Sequence, residues 1–157
     1  MPPSITTVLV FLLPAVPISI TDLRERRVPN VMLAFGLLVA LWSASRADAS
    51  ALFDASRGAV VGFLFFWCVW RLSRGRLGMG DVKYAILVGA FTGTVGLCAA
   101  VFVASAAGLA FALAVIAIDR RKAHVRIPFA PFLSLGCAAE MIARCAAWPE
   151  LFARGIE

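Results

Sequence analysis

Long apolar runs, separated by short polar and mostly basic connections, set the pattern of this chain. Six apolar segments can be marked, at about 4–20, 31–45, 58–73, 82–95, 97–118 and 128–147. A helix needs roughly 17–25 apolar residues to cross a hydrocarbon core of ~30 Å. The pattern therefore predicts an all-α, polytopic membrane protein, a six-transmembrane-helix bundle. The third and fourth segments are short for a span. Pro29 and Asn30 open the second segment and Pro128 the sixth, and proline suits a first helical turn because its missing N–H has no partner there. The stretch Thr92-Gly93-Thr94-Val95-Gly96 reads as a tight turn between segments four and five, with one long helix kinked there as the alternative. Small residues recur at four-residue spacing: Gly58 and Gly62, Gly89 and Gly93, then Ala100, Ala104, Gly108 and Ala112. Such faces let helices approach closely in lipid.

Composition supports the same class. Of 157 residues, 62% are hydrophobic and 15% charged, with a mean hydropathy of +0.92; a soluble domain is usually ~45–50% apolar and about 25% charged. No polar stretch is long enough for an appended soluble domain, so residues 1–157 read as a single membrane-embedded domain.

Charge then orients it. Arg24, Arg26 and Arg27 follow segment one, Arg71, Arg74, Arg76 and Lys83 follow segment three, and Arg120, Arg121, Lys122 and Arg126 follow segment five. That leaves Arg46, Arg57, Arg144 and Arg154 for the other side. The positive-inside bias places the N-terminus outside and three basic loops in the cytoplasm, in a multi-pass inner (plasma) membrane protein. The net charge of +6 is accounted for by that bias and by anionic headgroups, so no nucleic-acid partner is implied. No Lys or Arg precedes the first apolar run, so a cleavable signal peptide is not expected.

Cys68, Cys98, Cys137 and Cys145 show no CxxC spacing and all fall within apolar runs. They read as small buried hydrophobes, and His124, in a basic loop, reads as solvated. No metal and no cofactor is expected, because ligands would have to converge in groups.

Two acids stand out. Asp22 ends the first apolar run and Asp81 opens the fourth, both on the cytoplasmic side. Ionisable groups at membrane depth are costly and are functional candidates. Each has a plain structural alternative. Asp81 could cap free N–H groups at a helix start, and Asp22 could pair with Arg24 or Arg26. Gly78 and Gly80 could be turn residues, and Lys83 one more cytoplasmic anchor. Taken together, two carboxylates on one site hold a proton between them. One can then deprotonate water while the other protonates a leaving amine. Glycines around Met79 let a substrate or facing helix come close to Asp81.

At these residues the chain resembles the type IV prepilin peptidases, a family of GxGD membrane aspartic peptidases. Asp22 with Arg26-Arg27-Val28-Pro29-Asn30 is similar to their first aspartate motif. Gly78-Met79-Gly80-Asp81-Val82-Lys83 matches their GxGDxK motif. Ile127-Pro128-Phe129-Ala130-Pro131-Phe132-Leu133-Ser134-Leu135-Gly136 resembles a third, with Ala130 where glycine is usual. The chain begins directly at its first apolar run and resembles the short Flp/Tad branch, without the methyltransferase segment; archaeal preflagellin peptidases are neighbours.

The resemblance implies an aspartic endopeptidase with Asp22 and Asp81 as catalytic residues. Its substrate would be a prepilin or pseudopilin, cut after a glycine just before its N-terminal hydrophobic helix. That helix would lie against the bundle within the lipid bilayer. Gly78, Gly80 and Lys83 would support the site, Lys83 by holding a carboxylate or the substrate backbone. The rival reading is a noncatalytic membrane subunit of a pilus or secretion assembly, or a small proton-coupled transporter. Glu140, in the sixth segment, is read as paired with Arg144 one turn on.

Overall fold

The computed structural model describes residues 5–25, 27–74, 77–118 and 128–154, with side chains described as far as residue 147. Arg26, Arg76, His124 and the basic stretch 120–126 lie outside the described residues. The described chain is helical: α1 (Ile5–Glu25), α2 (Asn30–Ala47), α3 (Ala49–Leu72), α4 (Met79–Ile118) and α5 (Ala130–Arg154). All five are long and apolar enough to cross a membrane. The expected number was six; the difference lies in α4, a 40-residue element that spans segments four and five.

Continuity in α4 is only apparent. Gly93 has φ 68° and ψ −177°, a combination essentially restricted to glycine. Positions that follow show what this does. Gly62 of α3 lies against both Ala85 and Leu97, which a straight helix would hold about 18 Å apart. Tyr84 bonds to Ser134 and Thr92 to Arg144, so residues 79–92 run parallel to α5. Ala100 touches Gly136 and Gly108 lies against Phe129 and Phe132, so residues 94–118 run antiparallel to it. The two arms of α4 therefore point in opposite directions.

The reversal is capped on both sides by charge. Arg144 Nη2 donates to the carbonyl of Thr92, at the C-terminal end of the first arm. Asp54 Oδ1 accepts from the N–H of Thr94, at the N-terminal end of the second, at 3.4 Å. Cation at a C-terminus and anion at an N-terminus is the favourable arrangement for helix dipoles. Arg144 is also ion-paired with the buried Glu140, one turn back. The sequence reading gave Arg144 to one membrane side and paired Glu140 with it; the half-buried guanidinium makes that pair and also reaches the Thr92 carbonyl.

The first arm of α4 is the axis of the protein. Val82, Tyr84, Ala85, Leu87, Val88 and Ala90 are all buried, as expected for a helix apolar on every face. Glycine allows its neighbours to come so close. Gly58 and Gly89 meet backbone to backbone, as do Gly62 with Ala85 and Gly136 with Ala100. Outward-facing residues such as Leu9, Leu13, Trp42, Phe53, Phe102 and Leu109 are exposed, an apolar surface suited to lipid.

Two sequence expectations are corrected here. Helix α3 starts at Ala49, nine residues before its apolar run at 58. Asp48 nucleates it: its carboxylate accepts from Ser50 Oγ and from the Ala51 N–H, both at 2.6 Å. Those bonds, the hydroxyl's first, hold its carboxyl below the usual range. Cys68 and Cys98 are exposed rather than buried, facing outward from the bundle, while Cys137 is buried.

Candidate active site

Asp22 lies in the last turn of α1, within the helix rather than beyond it. Its residue is only 7% exposed. The N–H of Ala130, the first residue of α5, donates to Asp22 Oδ2 at 3.3 Å. A helix N-terminus presents free N–H groups and a positive dipole end, which suits a carboxylate. The third sequence motif thus has a structural meaning: it brings the start of α5 against Asp22, and Ala130 is wholly buried there.

Asp81 is the third residue of α4 and is 8% exposed. Its N–H donates to the Gly78 carbonyl at 3.1 Å, and the Gly78 backbone returns a hydrogen bond to the Asp81 carboxylate. This is the reach-back half of a capping box, so the capping alternative is part of the answer. Asp22 likewise serves a helix start, that of α5, from another helix. Tyr84, one turn after Asp81, and Ser19, one turn before Asp22, both contact Ser134 of α5, so two acids far apart in sequence share one end of the bundle.

Gly80 faces the connection between α1 and α2. A Cβ there would come within 2.8 Å of Val28 Cγ2, closer than real Cβ contacts. Gly80→Val should therefore push Val28 and the Asp81 turn apart. An about tenfold larger loss of function than for the exposed Met79→Leu is expected, measured in the same processing assay. Lys83 is exposed, and its Nζ donates to Asn30 Oδ1 at 3.0 Å. It ties the start of α2 to α4, whereas the sequence reading had it hold a carboxylate or the substrate.

One turn deeper lies a group that the sequence reading did not single out. Tyr84, fully buried, places its hydroxyl 2.6 Å from Ser134 Oγ, and Ser134 Oγ is 2.8 Å from Ser19 Oγ. The available signal was that Tyr84 is the sole tyrosine of the chain, one helical turn beyond Asp81. Among the described residues, no three His, Cys, Asp or Glu side chains are grouped as metal ligands would be.

The chain matches the profile described as the type IV leader peptidase family over residues 8–113, which takes in both aspartates. It belongs to that family. Among curated relatives of this family, "Prepilin leader peptidase/N-methyltransferase" of Burkholderia pseudomallei (strain 1026b) is 35% identical over 115 residues, covering 70% of this chain and 36% of that protein. The protein of the same description from Escherichia coli (strain K12) is 31% identical over 124 residues, covering 76% of this chain and 55% of that protein. For Bacillus subtilis (strain 168) the values are 27% over 119 residues, 76% and 48%. The chain thus spans roughly a third to a half of the leader peptidases it matches. No solved structure matches it.

Proposed function

We propose that this protein is a membrane aspartic endopeptidase that removes the leader of type IV, Flp-like prepilins at the cytoplasmic membrane face. The observation that carries the reading is that Asp22 and Asp81 are both buried, on helix ends that Ser134 of α5 ties together. Membership of the leader peptidase family supports it.

Hydrolysis by such a pair needs one carboxylate and one carboxylic acid. The carboxylate takes a proton from water as the water oxygen attacks the scissile carbonyl carbon. The acid gives its proton to the departing amine nitrogen as the C–N bond breaks. The net change is one water added across one peptide bond, and the pair ends with one proton, as it began. The cycle is symmetric with respect to which aspartate starts protonated. The hydrophobic helix of the prepilin lies against the bundle in lipid, with the bond after its leader glycine at the dyad.

In the bilayer, each arm of α4 crosses separately, giving six crossings. Asp22, Asp81 and the start of α5 then lie on the cytoplasmic side. Asp48, Asp54, Gly93 and Arg144 lie on the other, with the N-terminus. In a chain freed of its native cysteines, Glu25→Cys should be closed to an impermeant external thiol reagent and Asp48→Cys open to it. The reverse labelling pattern would remove the cytoplasmic assignment. Co-expression with a candidate prepilin, scoring leader removal on a gel, tests the activity itself.

A further inference from the structure

Tyr84, Ser134 and Ser19 join three helices directly beneath the two aspartates. Their connections can be followed bond by bond. Tyr84 stands one turn after Asp81 on α4, and Ser19 one turn before Asp22 on α1. Ser134, on α5, contacts both: Tyr84 Oη at 2.6 Å and Ser19 Oγ at 2.8 Å. It also donates to the carbonyl of Ala130 at 2.9 Å. Ala130 is the residue whose N–H holds Asp22.

Donor counting gives this group a definite sense. A hydroxyl has one hydrogen to donate and two lone pairs to accept with. Ser19 Oγ also lies 2.8 Å from the carbonyl of Ala15, to which it donates, so three hydroxyl hydrogens serve four contacts. With Ser134 donating to Ala130, Tyr84 donates to Ser134, and the Ser19 hydrogen is shared between Ala15 and Ser134. The result is a ring of Ser134, Ala130, Asp22 and the turn to Ser19, with Asp81 joined to it by the turn to Tyr84 and the Tyr84–Ser134 bond. Each aspartate reaches Ser134 by helical backbone, and Asp22 by an additional hydrogen bond. Nothing in the circuit is long or flexible except the Tyr84 ring, and that is clamped by complete burial.

A dyad that shares one water tolerates little change in spacing, since displacements near 1 Å cost roughly 10²-fold in rate. The first arm of α4 is held axially by Lys83–Asn30, by Arg144 on the Thr92 carbonyl and by close glycine contacts. Of its directional bonds, the one that leads to Asp22 is Tyr84–Ser134. Resting on the dyad reading above, we propose that Tyr84 is a positioning residue: through Ser134 and Ala130 its hydroxyl sets the separation of Asp22 and Asp81. It acts through the aspartates and has no contact with substrate.

Tyr84→Phe removes the hydroxyl and keeps the ring. With a synthetic peptide carrying a glycine-terminated leader and the start of an apolar helix, in proteoliposomes, it should lower kcat by about tenfold or more. KM should stay within about twofold, because the groups that meet the peptide remain. Ser19→Ala removes one bond from the same circuit and should lower kcat less. Combining it with Tyr84→Phe should be less than multiplicative.

A second readout needs no catalysis. In a chain freed of native cysteines, Asp22→Cys with Asp81→Cys should be joined by a short bifunctional thiol reagent. Adding Tyr84→Phe should slow that joining about fivefold or more, whereas Met79→Leu should not. Unchanged kcat and unchanged joining in Tyr84→Phe, or a loss confined to KM, would overturn the proposal. Should Tyr84→Phe fail to fold, Ser19→Ala carries the same two comparisons, and no change in either would also overturn it. Full activity in Asp22→Asn would instead remove the dyad reading, while the joining rates still decide whether Tyr84 sets the spacing.

Discussion

Asp22→Asn or Asp81→Asn is expected to reduce leader removal by about 10²–10⁴-fold, the usual contribution of general acid–base groups. The choice of asparagine matters. Its amide oxygen can still accept the Ala130 N–H in place of Asp22 Oδ2. At position 81 it can likewise accept from the Gly78 backbone. Both helix ends therefore keep their caps, and the bundle keeps its shape. What is lost is the ability to take up and release a proton. On the proposed mechanism each acid has a separate task in one cycle, so either substitution alone should give the full loss, and the double variant little more. Membrane-inserted protein and processed pilin, measured in the same cells, check this. Substantial processing by either variant, at normal protein level, would mean that the two acids do not act as a pair.

The other large effect is structural. Gly89→Val should destabilise the bundle by about 3 kcal/mol or more, at or beyond the upper end of ordinary overpacking. A Cβ at Gly89 would meet the Gly58 carbonyl oxygen, and one at Gly58 would meet that of Gly89. Neither obstacle is a flexible side chain that can turn aside. Relief requires α3 and the first arm of α4 to separate, which also loosens Gly62 from Ala85 nearby. Because Asp81 is carried on that arm, activity should fall with stability. Gly108→Ala is the control: its Cβ would find Phe129 and Phe132 at 3.7 Å, ordinary contact, and should be nearly neutral. Denaturation in mixed detergent micelles measures both.

Some of this was legible in the sequence because the physics is local. Small residues at four-residue spacing announce close helix contacts, and Gly58, Gly62, Gly89 and Ala100 make them. Two acids at the ends of apolar runs, with basic loops on the same side, place themselves at one end of any antiparallel bundle. Gly93 was visible as a break because only glycine in Thr92–Gly96 could supply it cheaply. Other features depend on what a residue meets from elsewhere in the chain. Arg144 pairs with Glu140 one turn away, as the spacing implies, but the Thr92 carbonyl it also reaches is 52 positions away. Lys83 faces Asn30, 53 positions away. Ser19, Tyr84 and Ser134 sit in three separate apolar runs, where a hydroxyl disturbs no hydrophobic pattern and so leaves no trace of its partners. The first nine residues of α3 are helical through the Asp48 cap and alanine content, which an apolar-span criterion passes over.

The length of the first arm of α4 has a further consequence. Residues 79–92 rise about 21 Å as a helix, against a hydrocarbon core of ~30 Å. Helix α1, of 21 residues, has no such shortfall. The short arm is enclosed by the other helices, so if it crosses separately its shortfall is met by protein and not by lipid. On that reading, an acid carried at its end, as Asp81 is, stands below the headgroups while still walled by longer helices.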